Sequence, residues 1–264
     1  MSFQKKRIVV KVGTSTITNE VGNNDLRSID HLSRVLADVH NLGYEVILVS
    51  SGAIAVGSNK LMMPSKPTEM RLKQAAAAVG QCSIMFFYDK FFSEYDKTIG
   101  QVLLNAEDME VEEKKENLAS TFEALLEMGV IPVVNENDSV SYTEIESEDR
   151  LFSDNDKLSA VVAILCNADR LIILSDINGL YDKDPRFNPD AKLIPLITEI
   201  NDYVYSIAGG AGSRRGTGGM KTKLAAASMA MSQGIEMSII NGRSPEKIFD
   251  ILEDKPVGTL FRAE

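Results

Sequence analysis

Cysteine, histidine and tryptophan are scarce in this sequence, whose 264 residues include two cysteines, two histidines and no tryptophan. Cys82 and Cys166 each lie in apolar, helix-like surroundings, GQCSIMFF and VVAILCNA. We therefore expect both thiols to pack in the interior rather than to form a disulfide bond or a metal site. This use of cysteine is typical of a reducing cytoplasm.

The sequence also lacks an excess of positive charge and a long hydrophobic run. Lys and Arg number 28 against 38 Asp and Glu, which gives a formal net charge of -10. Because nucleic-acid binding needs a basic face, we expect no nucleic-acid partner, and any phosphate site must be local. The N-terminal apolar stretch is interrupted by Lys11, and no other run reaches the length of a membrane span. We expect a cytoplasmic protein with no membrane partner.

The sequence does contain strand-like runs that alternate with helical patterns from end to end. This alternation predicts an α/β fold, a three-layer αβα sandwich around a mainly parallel sheet. We expect a single domain with approximate lobes at residues 1–165 and 166–264. The predicted strands are Arg7–Val12, Glu45–Ser50, Thr98–Leu103, Ile131–Asn135, Arg170–Leu174 and Met237–Ile240.

The predicted helices span residues 25–43, 68–92, 116–128, 157–166, 220–232 and 245–252, the last with Ser244 as cap and Pro245 as first residue. The second of them is rich in alanine and large apolar residues, which favours a subunit interface. Turn signals in residues 178–194 predict an inserted hairpin.

Glycine turns follow the first two predicted strands, in KVGTSTIT and SSGAIAVG. In a parallel sheet the carboxyl ends of the strands meet at one edge, where ligands bind. Lys11 and Gly13 in the first turn, and Ser51 and Gly52 in the second, are thus candidates for an anion site. Either turn alone would also fit tight packing of a helix on a strand. Two such glycine turns at the ends of neighbouring strands favour a ligand-binding site.

Three later segments carry further polar candidates. In NENDSVS, Asp138 is placed to bind the ammonium group of an amino acid. In SDNDKLSA, one residue would cap the next helix, which leaves Asn155 to bind a substrate carboxyl or Asp156 to hold the lysines. RRGTGGMKTKLAAA is a glycine-rich loop that enters a helix, which suits polyphosphate binding although it is not a Walker sequence. The hairpin would lie beside such a nucleotide.

Seven blocks in order resemble the amino acid kinase family, and within it the branch that phosphorylates glutamate. They are VVKVGTS, VSSGAIAVG, AAVGQ, VVNENDSV, DNDKLSA, LSDINGLYDKDPR and GTGGMKTK, and the likeness covers essentially the whole chain. The resemblance implies the family's fold and transfer of a phosphoryl group from MgATP to the γ-carboxylate of L-glutamate, the first step of proline biosynthesis.

The resemblance also implies roles for matching residues. Lys11 and Lys223 would stabilise the transferring phosphoryl group, and Asp156 would hold both lysines. The implied glutamate-binding residues are Ser51, Gly52, Asp138 and Asn155. The implied ATP-binding residues are Lys11, Gly13, Ser175, Asp176, Thr217, Gly218, Gly219, Met220, Lys221, Thr222 and Lys223. The Mg²⁺ ion is expected to be held mainly by ATP phosphates, with no protein ligand. Which of Lys221 and Lys223 contacts phosphate stays open, as do the roles of Tyr142 and Arg150.

The resemblance further implies a homo-oligomer (dimer or tetramer), proline as a feedback inhibitor and product hand-off to glutamyl phosphate reductase. Many family members continue into a C-terminal PUA domain where this sequence ends at VGTLFRAE, so we expect none here. Two alternatives stay open: a sister kinase for aspartate, N-acetylglutamate, carbamate or UMP, and a non-catalytic nucleotide or amino-acid sensor. The blocks NENDSV and DNDKLSA favour glutamate, and the presence of Lys11, Asp156 and Lys223 favours a catalyst.

Overall fold

A computed structural model describes residues 6–19, 21–140, 155–208 and 219–263. Within these ranges the chain forms one eight-stranded sheet of order β3-β4-β2-β1-β5-β7-β8-β6. The strands are β1 Arg7–Val12, β2 Glu45–Val49, β3 Ile99–Leu104, β4 Ile131–Glu136, β5 Arg170–Ser175, β6 Leu196–Ile197, β7 Glu236–Asn241 and β8 Thr259–Phe261. All neighbouring pairs are parallel except β7 with β8.

Helices cover both faces of the sheet. They are α1 Thr14–Ile17, α2 Leu26–Asn41, α3 Ala53–Lys60, α4 Met70–Glu94, α5 Glu112–Glu127, α6 Asn155–Leu165, α7 Asp202–Ile207, α8 Met220–Ser232 and α9 Lys247–Leu252. Alternate residues of β1 point to opposite faces, so Val9 packs in a core with α6 and α8, whereas Ile8 and Val10 pack in a second core with α2 and α4. The predicted three-layer αβα sandwich is therefore confirmed.

The six predicted strands are all present, with ends that shift by one residue at most. Two short strands, β6 and β8, were not predicted, because two or three residues are too few to display a periodicity. Helices α1, α3 and α7 were also missed, and α1 and α3 begin directly after the two glycine turns. Among the described helices, none combines the length and apolar character that a membrane span requires.

Two local predictions were wrong. Cys82 is exposed rather than buried, because it lies on the outward face of α4, whereas Cys166 is buried as expected. The last helix begins at Lys247 and not at Pro245, since the carbonyl of Ser244 accepts from the Lys247 N–H in a tighter turn that precedes it. The predicted hairpin is present: Tyr181 pairs with Leu193 in an antiparallel bridge.

Helices α3 and α4 cross through a contact between two glycines. A Cβ on Gly57 would lie 1.7 Å from the carbonyl oxygen of Ala76, and one on Gly80 would lie 1.8 Å from that of Ala53. Only glycine allows two backbones to approach this closely. Because α3 begins directly after Gly52, this crossing sets the position of the second glycine turn.

We predict that Gly80→Ala destabilises the protein, by about 1–3 kcal/mol or more, because the added methyl overlaps the Ala53 carbonyl. Helix propensity alone would give the opposite sign, a gain of about 1 kcal/mol. Denaturant unfolding measures the change, with Ala78→Ser on the exposed face of the same helix as the control. An unchanged or raised unfolding midpoint for Gly80→Ala would contradict the close crossing.

Candidate active site

A buried carboxylate joins two lysines from opposite ends of the chain. Asp156, in the first turn of α6, is 0% exposed. Its Oδ1 lies 2.6 Å from the Nζ of Lys11, which is on β1, and its Oδ2 lies 3.0 Å from the Nζ of Lys223, in the first turn of α8. Both lysines are buried at 7% exposure. The three predicted residues therefore meet at the carboxyl edge of the central strands.

The electrostatics of this cluster favour a bound anion. Burial alone would raise the pKa of Asp156, but the ammonium groups of Lys11 and Lys223 outweigh burial and hold the pKa below its usual value. With Asp156 ionised, the three side chains carry one net positive charge. A positive charge with little exposure to water attracts a ligand anion far more strongly than a solvated one does.

The structure distinguishes the two loop lysines. Lys221 is exposed, whereas Lys223 is buried against Asp156. Residues two apart on a helix point to nearly opposite sides, so only one of the pair can face the cluster. The hydroxyl of Thr222 lies 3.0 Å from the Asp156 Oδ2. Lys223 therefore lies at the cluster, and Lys221 lies on the exposed side of α8.

The two glycine turns lie side by side. Gly52 has a φ of +95°, a conformation that favours glycine, and a Cβ there would lie 3.4 Å from the Thr14 side chain. A Cβ on Gly13 would lie 3.8 Å from the Lys11 Nζ. Both turns thus border the lysine cluster, as their positions on neighbouring strands predicted.

Asn155 links the ends of two neighbouring strands, β2 and β4. Its Nδ2 lies 2.7 Å from the Ser50 carbonyl oxygen, 2.8 Å from the Ser51 Oγ and 3.0 Å from the Asn135 Oδ1. Because a carbonyl only accepts, the amide orientation is determined, and Oδ1 is the group of Asn155 left for a ligand. That orientation differs from the expectation that Asn155 donates to a substrate carboxyl. An acceptor suits an ammonium group instead.

A cavity of about 400 Å³ lies beside this network. Asp138 lines it, and burial raises the pKa of Asp138 to about 6. From α4, Gln81 reaches Asn135, whose Nδ2 donates to the Gln81 Oε1 at 2.9 Å, and the hydroxyl of Tyr88 lies 3.0 Å from that of Ser50. Sequence reasoning assigned no role to Gln81 or Tyr88. Both are isolated polar groups on the inward side of an apolar helix, and Gln81 entered only as the last residue of the AAVGQ block, with no role of its own.

A second cleft gathers the residues expected to bind ATP. Its lining includes Ser175, Asp176, Gly219, Met220 and Lys223. The hairpin forms the opposite wall and contributes Tyr181, Lys183, Asp184, Pro185 and Arg186, which had no individual roles. Thr217 and Gly218, like Tyr142 and Arg150, lie outside the described residues. The described part of the chain contains no group of three or more His, Cys, Asp or Glu residues that could hold a metal ion.

Known proteins are similar to this chain over nearly its whole length. The sequence profile of the amino acid kinase family matches residues 6–241. The chain is 55% identical to a glutamate 5-kinase of Clostridium perfringens, over 98% of the chain and 96% of the relative, and 53% identical to one of Clostridium tetani, over 98% and 95%. A glutamate 5-kinase of Listeria innocua is 49% identical to the chain, over 98% of the chain and 94% of the relative.

Solved structures share the fold. A carbamate kinase from Giardia lamblia bound to AMP-PNP gives a TM-score of 0.70 at 18% identity and covers 99% of both chains. The T. acidophilum isopentenyl phosphate kinase product complex gives 0.66 at 19% identity and covers 97% of this chain and 100% of that one. At these identities the likeness supports the fold alone.

We predict that Asp156→Asn lowers the free energy of unfolding by about 3–5 kcal/mol, because two buried ammonium groups lose their counter-charge while the side-chain shape is kept. Thermal or denaturant unfolding measures the loss. The exposed Asp89→Asn on α4 is the control for removal of one carboxylate charge, and we expect little change there. Equal stabilities of the two variants would refute the organising role of Asp156.

Proposed function

This chain belongs to the amino acid kinase family, and we propose that it transfers the γ-phosphoryl group of ATP to the γ-carboxylate of L-glutamate, giving L-glutamyl 5-phosphate. The observation that carries the proposal is the Lys11–Asp156–Lys223 cluster, whose residues border the Asn155 network on one side and the hairpin cleft on the other. Relatives with 55% and 53% sequence identity are named glutamate 5-kinases, and this name is the reason for proposing glutamate as the acceptor. We further propose a cytoplasmic enzyme at the first step of proline biosynthesis.

The proposed reaction requires the protein to align the two substrates and to stabilise the charge on the transferring phosphoryl group. An ionised γ-carboxylate attacks the phosphorus directly, so no general base is needed. In the proposed complex Lys11 and Lys223 face the oxygens of the transferring group, where charge builds up, and the backbone N–H groups of Gly13 and Gly52 add donors. Asp156 keeps both ammonium groups in place, so little reorganisation accompanies the transfer.

The nucleotide would lie in the cleft between the Ser175 strand end and the hairpin, with its phosphates towards Lys223. A magnesium ion bound with ATP would neutralise part of the β- and γ-phosphate charge. ATP phosphates and water would supply the oxygen ligands that Mg²⁺ prefers. The side chains at the cleft would then position ATP.

Glutamate would lie in the cavity lined by Asp138, with its γ-carboxylate towards the lysine cluster. The Asp138 carboxylate, ionised, would accept from the ammonium group, and the Asn155 Oδ1 would do the same. Ser51 and Gly52 would border the γ-carboxylate at the end of β2. The network around Asn155 gives these groups a fixed geometry before the substrate arrives.

Further partners follow from the same assignment. We propose a dimer or tetramer in which the exposed face of α4 is buried, because Phe86 on that face is 63% exposed. Proline, as the end product of the synthesis that this step begins, would inhibit the enzyme, and glutamyl phosphate reductase would receive the acyl phosphate. Gel filtration with light scattering measures the oligomeric state, and titration of the activity with proline measures the inhibition.

Formation of γ-glutamyl hydroxamate with glutamate, MgATP and hydroxylamine tests the function. Aspartate, N-acetylglutamate, carbamate and UMP serve as competing acceptors, with ADP release as the common readout. We expect glutamate to be preferred. A higher kcat/KM for another acceptor would favour a sister kinase, and ligand binding without any turnover would favour a sensor.

We predict that Lys11→Ala and Lys223→Ala each lower kcat about 100- to 1000-fold, because each removes a charge that acts mainly in the transition state. Lys221→Ala should lower kcat far less, since its ammonium group is exposed. Steady-state kinetics with saturating MgATP measure all three. A larger kcat loss in Lys221→Ala than in Lys223→Ala would reverse the assignment of the loop lysines.

We predict that the KM for glutamate rises as the pH falls through about 6, while the KM for MgATP changes little. Burial raises the pKa of Asp138 to about 6, so the carboxylate that pairs with the ammonium group is neutral below that pH and ionised above it. Asp138→Asn should raise the KM for glutamate and abolish this pH dependence. A pH profile unaltered by the substitution would show that another group titrates.

A further inference from the structure

The glutamate cavity has a second polar wall, on α4. Gln81 lines the cavity together with Asp138, residues of the β4 end and the first residue of α3, Ala53. Gln81 is neither fully buried nor fully exposed. Its contact with Asn135 places it one hydrogen bond away from the Asn155 network.

A backbone group determines the orientation of the Gln81 amide. The Glu136 N–H donates to the Asn135 Oδ1 at 2.9 Å, which identifies that atom as the oxygen. The Asn135 Nδ2 must then be the group that donates to Gln81, so the atom of Gln81 in this contact is Oε1. The Nε2 of Gln81, with two N–H donors, is consequently left for the cavity.

The two walls of the cavity therefore offer opposite chemistry. Asp138 presents a carboxylate whose raised pKa has burial as its only cause, with no hydrogen bond or ion pair from the described residues to offset it. Gln81 presents N–H donors. A zwitterionic amino acid head needs both, a carboxylate for the ammonium group and donors for the α-carboxylate. Asn155 cannot supply the donors, because its Nδ2 is occupied.

We propose that Gln81 binds the α-carboxylate of the acceptor amino acid through Nε2 and thereby selects glutamate over acceptors that lack this group. The proposal rests on the function proposed above and deepens it. Gln81 differs from a residue that merely supports Asn135, because such support uses only Oε1.

Gln81→Glu separates these two roles. The substituted side chain keeps an oxygen that accepts from the Asn135 Nδ2. It replaces the N–H donors by a negatively charged oxygen, which repels the substrate's α-carboxylate. We expect kcat/KM for glutamate to fall about 10- to 100-fold, the range for loss of a hydrogen bond to a charged group. With 4-aminobutyrate, which is glutamate without the α-carboxylate, we expect no loss. The KM for MgATP should stay unchanged and thus report an intact site.

Both compounds are measured as acceptors or, where turnover of 4-aminobutyrate is too slow to follow, as competitive inhibitors. Gln81→Leu is the second variant, and it should also lower the preference for glutamate over 4-aminobutyrate. Gln233→Glu is the matched control, because it makes the same substitution at an exposed position directly after α8, outside the residues that line this cavity. We expect that variant to keep the wild-type preference.

Three outcomes would overturn the role of Gln81. They are a wild-type preference in Gln81→Glu, an equal loss for both compounds in Gln81→Leu, and the same loss of preference in Gln233→Glu. Failure of the proposed function is a separate result, namely an unsubstituted enzyme that does not phosphorylate glutamate.

Discussion

The sharing of one buried carboxylate by two lysines is the interaction on which the rest of the site depends. Two ammonium groups at 7% exposure would repel each other and lose their hydration without a counter-charge between them. Asp156 supplies that charge, and its two oxygens each take one lysine. The same contact brings the end of β1 and the start of α8 together, so the electrostatics of catalysis depend on one residue that also links these two elements.

The sheet explains why the two substrates would arrive from opposite sides. β1 lies between β2 and β5, so Lys11 has the Ser51 and Gly52 turn on one side and the Ser175 strand end on the other. Beyond β2 lies β4 with Asp138 near its end, and across the cleft from β5 lies the hairpin. The amino acid side is formed by α3 and α4, whose glycine crossing leaves little freedom to the Gly52 turn. A rigid acceptor side and a charge cluster at the junction suit in-line transfer.

Much of the site could be predicted from strand ends, because a parallel sheet places the residues after its strands at one edge. Lys11, Gly13 and Ser51 were found in this way, and Asp156 was found as a polar residue beyond those needed to cap the next helix; the structure brings these residues together. Gln81 could not be found by that rule, since it acts from the middle of a helix whose pattern is that of packing. The orientation of the Asn155 side-chain amide also could not be predicted from the sequence. It depends on a hydrogen bond to the carbonyl of Ser50, which lies in a distant segment of the chain.

A crystal structure with ADP, Mg²⁺, aluminium fluoride and glutamate tests the central claim most directly, because the fluoride complex occupies the place of the transferring phosphoryl group. We expect the Nζ atoms of Lys11 and Lys223 each at about 3 Å from the fluoride ligands, with Asp156 still between the two lysines. A fluoride complex contacted by Lys221, or by neither Lys11 nor Lys223, would contradict the account.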